Sequence, residues 1–291
     1  MKVLVTGAAG QLGKAFRRLA DASANDYVFT DISPCDGVAS LDITDSDAVY
    51  KALADNAIEV IVNCAGYTDV NRAEEEPDKA CLVNTYAVGV LASQARRADV
   101  LLVHISTDYV FDGKANVPYK EDDLTNPSGV YGKSKLAGEA AVMESGCRYM
   151  IFRTSWLYDG TSRNFFTAIA QKTAESSEVK VVVDQIGTPT FAPDLASFID
   201  YILEYGYSDR TGLYHYSGEG ICSWYDFAHA ICRSLGHLSS VVPCSTDEYP
   251  SKAPRPHYSV LDKTKVKEVF GVDVPHWTRS LEVCVAEYMG L

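Results

Sequence analysis

Along the chain, short unbroken apolar runs alternate with stretches whose apolar residues recur at a helical period. Residues 2–6 (KVLVT), 27–30 (YVFT), 59–63 (EVIVN), 100–105 (VLLVHI) and 147–153 (CRYMIFR) are short and rich in branched and aromatic side chains, as buried strands are. Between them, residues 14–20, 46–53 and 78–98 have helical periodicity, and Thr44 or Asp45 can cap the second of these stretches. Strand, helix, strand in this succession predicts a Rossmann-like α/β fold: a doubly wound parallel sheet with its ligand crevice outside the carboxyl ends of the strands.

Past residue 153 the alternation weakens. Short strands are predicted at 179–183, 213–216 and 241–242, with helices at 193–204, 224–235 and 262–270. The expected organisation is a dinucleotide-binding domain over 1–153, with a returning segment near 190–216, and a smaller, interleaved, mainly substrate-binding domain over 154–291. No low-complexity linker separates the two.

Candidate chemistry sits where strands end. The first strand runs into Gly7-Ala8-Ala9-Gly10-Gln11-Leu12-Gly13. Glycines there let the backbone turn tightly and approach a pyrophosphate, which then rests on the free N–H groups of the following helix. The spacing departs from G-x-G-x-x-G, since two residues separate Gly7 from Gly10. Asp31 ends the second strand near the ~20-residue offset of an acid that binds an adenosine ribose. That favours NADH, but a distant basic residue folding back keeps NADPH open. Asp42 either finishes a turn or touches adenine. The small residues of Cys64-Ala65-Gly66-Tyr67-Thr68 bring the third strand end to the cofactor side, and Thr107 follows the fourth strand into the same crevice.

Val130-Tyr131-Gly132-Lys133-Ser134-Lys135-Leu136 reads as a helix that Asn126-Pro127 can start. Its Tyr131 and Lys135 share one face, and an ammonium beside a phenol should pull the phenol pKa below about 10, toward proton exchange near neutral pH. Arg255, in the proline-rich 251–256 loop, is a candidate phosphate clamp.

Composition removes other classes. A net charge of −13 argues against nucleic-acid or anionic-membrane binding while permitting a local basic pocket. No apolar stretch reaches membrane length, and the run after Met1 is too short for a signal peptide, so a cytoplasmic protein is expected. The eight cysteines include no C-x-x-C pair, and the six histidines show no ligand spacing. His104 and His215 read as packing residues, and no metal site is legible.

GAAGQLG, STDYVFDG and YGKSK, taken in order, resemble the extended short-chain dehydrogenase/reductase family, and within it the reductases of dTDP-linked 4-keto sugars. VNCAGYT, RTSWLY, DQIGTPT, GLYH and Arg255-Pro256 extend the resemblance over nearly the whole chain. In the related dehydratases an Asp-Glu pair follows the Thr, whereas here Tyr109 occupies the place of that Glu. The resemblance implies an NADPH- or NADH-dependent reductase in which Tyr131 donates a proton, Lys135 supports Tyr131 and the nicotinamide ribose, and Thr107 hydrogen-bonds the carbonyl oxygen. It implies that Gly10, Gln11 and Leu12 meet the pyrophosphate, Asp42 and Ile43 the adenine end, and Ala65, Gly66, Tyr67 and Thr68 the cofactor at the third strand. Asp108 and Trp156 would contact the sugar and Arg255 the diphosphate of a dTDP-sugar. Asn84 matches an Asn found across the family. Some members hold magnesium at a dimer contact through a Glu on the first helix. This chain has Lys14-Ala15 there, so a magnesium bridge is not expected, and a homodimer stays open. Another nucleotide-sugar reductase or epimerase of the same family, or a non-catalytic dinucleotide-binding regulatory subunit of the methionine adenosyltransferase type, is the alternative.

Overall fold

The computed structural model describes residues 1–249 and 251–291. One sheet dominates it, running from edge to edge through Gly212–His215, Tyr149–Thr154, Leu101–Thr107, Val60–Asn63, Lys2–Thr6, Asp26–Asp31 and Ala39–Ser40, with every neighbouring pair parallel. The chain starts in Lys2–Thr6, builds outward to Ala39–Ser40, then returns to Val60–Asn63 and builds the other way. The strand order therefore reverses beside Lys2–Thr6, and the crevice opens there.

Side-chain alternation along the strands sorts the core. Val3, Val5, Val62, Val103 and Phe152 face one side and pack with Phe16, Leu195 and Ile199. Leu4, Ile61, Leu102 and Ile151 face the other, against Val49, Leu53, Val88 and Leu91. Val266 and Phe270, from the Thr264–Phe270 helix, join the first of these clusters, so a late piece of the chain packs beneath the main sheet.

A third cluster gathers Phe166, Ile169, Phe227, Ile231, Leu281 and Val285, beside the parallel pair Glu178–Val182 and Ser240–Cys244. Two of its helices, Phe165–Glu175 and Trp277–Met289, were not anticipated from the sequence. The first starts on a capping box, in which Asn164 and Thr167 each bond the other's backbone N–H.

Two expected helices differ in ways that matter for the site. The stretch read as one helix over 78–98 is Pro77–Cys81, a π-helical turn Leu82–Tyr86 and Ala87–Ala98. The helix of Tyr131 is Val130–Glu144, capped by Gly129 rather than started by Asn126-Pro127. The Glu74 carboxylate accepts from the Val130 N–H at 2.8 Å, placing negative charge at the positive end of that helix. Pro127 instead packs against Gly132, where an added Cβ would lie 2.2 Å from the Tyr109 carbonyl oxygen and 2.9 Å from the Pro127 Cβ.

Candidate active site

Gly7 sits at φ +66°, and a Cβ there would come within 2.5 Å of the Ala65 nitrogen, so the turn closes on the third strand end only because side chains are absent. Gly13 is equally committed, its Cβ position lying 2.4 Å from the Ala8 Cα. Gly10 is exposed and precedes the Gln11–Leu19 helix with no side chain capping it. The helix N-terminus thus presents bare N–H groups across a glycine surface, which fits a dinucleotide pyrophosphate. Asp31 accepts from the Ala9 N–H and the Ser33 N–H, both at 3.1 Å, which fixes its carboxylate beside the glycine turn.

Other expected cofactor residues take more local roles. Leu12 and Ile43 are core residues, leaving only their backbones for a ligand. Asp42 closes a turn by accepting from the Thr44 N–H and hydroxyl. The Gln11 side chain accepts from Asn164 at 2.9 Å, tying the glycine turn to the start of an unanticipated helix. At the third strand end, Ala65 donates to Asn63, Tyr67 gives its hydroxyl to Glu76, and Thr68 is exposed. Asn84, in the π turn, accepts from the Tyr67 N–H at 2.8 Å and donates to the Tyr67 carbonyl and the Ser134 hydroxyl, both at 3.0 Å. It clasps the 65–68 loop to the Tyr131 helix.

Thr107, Tyr131 and Lys135 converge beyond the carboxyl end of the Leu101–Thr107 strand. The half-buried Tyr131 phenol lies beside the Thr107 hydroxyl, whose own proton goes to Asp108. Burial raises the Tyr131 pKa, the neighbouring Thr107 hydroxyl works against that rise, and the charges of Asp108 and Tyr109 add to it. The expected depression by Lys135 is therefore not what this arrangement produces. The Lys135 ammonium donates to the Ile105 carbonyl oxygen at 2.5 Å, and burial lowers its own pKa to about 8, with Glu139 opposing the shift. Two consequences follow: Tyr131 holds its proton at neutral pH, and Lys135 keeps two further N–H donors. Glu139, which sequence reasoning missed, lies beneath this group in a buried bidentate pair with Arg153, at 2.9 and 2.7 Å, and also accepts from Ser106. His104, bonded to Asn63, and His215, against the Tyr119 carbonyl, are buried as expected of packing residues.

Asp108 is 2% exposed. Its Oδ1 accepts from the Thr107 hydroxyl at 2.9 Å, while its Oδ2 has no well-formed hydrogen bond. Burial lifts its pKa to about 6, and the Ser259 and Thr107 hydroxyls facing it moderate the rise. The Tyr109 ring meets Tyr131 edge-on, with centroids 5.5 Å apart, and its hydroxyl accepts from Arg255 at 2.9 Å. Arg255 also donates to Asn71 and Ser251.

Trp156 adopts φ +47°, unusual for a bulky residue. Its ring stacks on Trp224 at 3.5 Å, and a Cβ at Gly187 would collide with it at 2.6 Å. A cleft of about 530 Å³ opens nearby, lined by Phe165, Trp224 and Tyr249 together with the cations Arg163, Lys172, Lys180 and Arg255. This cationic grouping is not legible in the sequence, because its members are scattered among the shorter elements. Among the described residues, no group of three or more His, Cys, Asp or Glu is placed to hold a metal ion, and no helix is long and apolar enough to cross a membrane.

A doubly wound sheet that brings a tyrosine–lysine helix and a strand-end threonine to a glycine-turn crevice is the arrangement of the extended short-chain dehydrogenase/reductases. Comparison with known proteins narrows this. The chain belongs to the RmlD substrate binding domain family, which it matches over residues 1–289. It is 38% identical to the spore coat polysaccharide biosynthesis protein SpsK of Bacillus subtilis, covering 98% of this chain and 97% of that one. It is likewise 38% identical to the dTDP-4-dehydrorhamnose reductase of Aggregatibacter actinomycetemcomitans, covering 97% of both. The crystal structure of dTDP-4-dehydrorhamnose reductase from Bacillus anthracis in complex with NADP superposes with a TM-score of 0.90, at 34% identity, covering 98% of this chain and 99% of that one.

Proposed function

We propose that this protein reduces the C4 keto group of dTDP-4-dehydro-L-rhamnose to give dTDP-L-rhamnose, a cytoplasmic step in the supply of sugar for cell-surface polysaccharide, with NADPH or NADH as reductant. The convergence of Thr107, Tyr131 and Lys135 at the crevice carries this reading, and the names of the relatives supply the substrate. Residues 1–153, with the returning segment 190–216, are assigned to the dinucleotide, and 154–291 mainly to the sugar nucleotide.

When bound, the nicotinamide supplies the hydride that reduces the carbonyl carbon. The chain's own residues do the rest. Gly7, Gly10, Gln11, Leu12 and Gly13 offer backbone to the pyrophosphate, Asp31 the ribose acceptor, and the 41–43 and 65–68 segments the walls. Tyr131, protonated at neutral pH, gives its proton to the nascent alkoxide, and Thr107 donates to the same oxygen as charge develops on it. Lys135 orients the ribose with its spare N–H groups and offers its charge when Tyr131 ionises. Asp108 and Trp156 are placed for the sugar, and Arg255 with the cleft cations for the diphosphate.

The test is an assay with dTDP-4-dehydro-L-rhamnose and each cofactor in turn, following loss of the reduced nicotinamide absorbance and identifying the product. Tyr131→Phe should lower kcat by about 10²–10⁴-fold. Near-normal turnover of that variant removes the proton-donor assignment, and product formed without net cofactor oxidation points to an epimerase.

A further inference from the structure

The Thr107 hydroxyl has one proton and more than one claimant. It accepts from the Tyr109 N–H at 3.2 Å and donates to Asp108 Oδ1 at 2.9 Å, yet its proposed role requires that same proton on the substrate oxygen beside Tyr131. A hydroxyl can accept twice but donate only once. As long as Asp108 is a carboxylate, acceptor-only on both oxygens, it competes directly with the substrate for the Thr107 proton.

We propose that Asp108 is a positioning residue that sets the direction of the Thr107 hydroxyl: ionised, it holds the Thr107 proton, and protonated, it donates to Thr107 and frees that proton for the carbonyl oxygen. The inference rests on the reading of Thr107 as the donor to the substrate carbonyl. The reversal requires the Asp108 carboxylate to take up one proton from solvent; once protonated, Asp108 keeps that proton through the reaction and is not consumed.

Geometry makes Asp108 easier to protonate than an ordinary aspartate. The side chain is almost wholly buried, and its Oδ2 makes no well-aligned bond, where a buried carboxylate would require several. Ser259, whose hydroxyl bears on the Asp108 carboxyl together with the Asp108 and Tyr109 backbone N–H groups, is itself buried without a well-aligned partner. The titratable groups around Asp108 are Tyr109, next in the chain, and Tyr131 and Lys135 from the facing helix, with Lys135 bonded to the Ile105 carbonyl. Arg255, on the facing loop, is taken up by the Tyr109 hydroxyl, Asn71 and Ser251. Among the described residues no cation forms an ion pair with the Asp108 carboxylate, in keeping with a pKa lifted to about 6.

The test is the pH dependence of kcat/KM, which reports groups of the free enzyme, measured with the full chain, dTDP-4-dehydro-L-rhamnose and saturating NADPH or NADH. The expected profile falls on the order of tenfold as pH rises through the Asp108 pKa, the worth of one charge-assisted hydrogen bond. This limb is separate from the later one set by Lys135. Asp108→Asn, whose amide can donate at any pH, should abolish the first limb and leave the second. Thr107→Val should lower kcat by about 10²-fold and also abolish the first limb, and the double variant should be no slower than Thr107→Val. A first limb that survives in Asp108→Asn overturns the proposal, while the slow Thr107→Val leaves the assignment of Thr107 standing. Normal turnover by Thr107→Val instead removes the underlying reading of the site.

Discussion

Tyr131 and Lys135 are set by burial more than by each other. Burial holds the phenol protonated, which suits an acid that must give up a proton, and brings the ammonium close to losing one near pH 8. Activity should therefore decline as pH rises past about 8, once Lys135 is neutral. Lys135→Met should lower kcat/KM by about 10²-fold or more and remove this limb from the pH profile. His215 leads to a prediction about stability. Burial, with the Arg153 charge beside it, lowers its pKa from 6.5 to about 3. The unfolded chain binds a proton below about 6.5 that the folded chain refuses until about 3, so stability present above that window is lost as pH falls through it. Melting temperature should drop between pH 7 and pH 5, and His215→Asn should flatten that slope.

At the scale of elements, the Tyr131 helix is located by close approach. A Cβ at Gly138 would lie 2.2 Å from the Asn84 carbonyl oxygen, so the helix and the π turn touch backbone to backbone. Gly138→Ala should force them apart, costing about 1–3 kcal/mol, and pull Asn84 off the Tyr67 loop. The expected readings are a lower melting temperature and a raised KM for the cofactor. This region also shows how far the sequence could be read. The strands of the main sheet were legible because continuous apolar runs leave few alternatives, and Tyr131, Lys135 and Thr107 were legible because topology delivers strand ends to one crevice. The π turn was not, because its cause is a tertiary bond from Asn84 to a loop that comes earlier in the chain. Nor was the start at Val130, since its partners are Glu74 and the contact of Pro127 with Gly132. The pKa of Tyr131 was misjudged because spacing along a helix reports neighbours and says nothing of depth.

Across the whole molecule, an acidic chain carries a cationic cleft. Arg163, Lys172, Lys180 and Arg255 line it within a protein of net charge −13. A sugar nucleotide must pass an unfavourable outer field before reaching them. Its KM should rise with ionic strength, as screening weakens attraction inside the cleft, and Lys180→Glu should raise KM several-fold with a smaller change in kcat. Steady-state kinetics over a salt series checks both. Polar links tie the two walls of this region, among them Gln11 to Asn164, Lys14 to Ser162, Arg255 to Tyr109 and Asn71, Ser251 to Asn71 and Lys252 to Glu75. These contacts are polar, and several involve residues assigned to ligands, so ligand binding and the alignment of the two walls are coupled.

Trp156 stands where the chain leaves the main sheet for the other wall, and its left-handed backbone costs about 1–3 kcal/mol. The clamp of Trp224 and Gly187 around its indole, and the bond its carbonyl accepts from the Thr190 N–H, hold it there. The junction behaves like a cocked spring whose catch is an aromatic sandwich. Trp156→Gly would release the spring, with little net change in melting temperature because lost stacking offsets recovered backbone freedom. If the proposed sugar contact of Trp156 holds, the same change should also blunt discrimination between related keto sugars, read from kcat/KM for each.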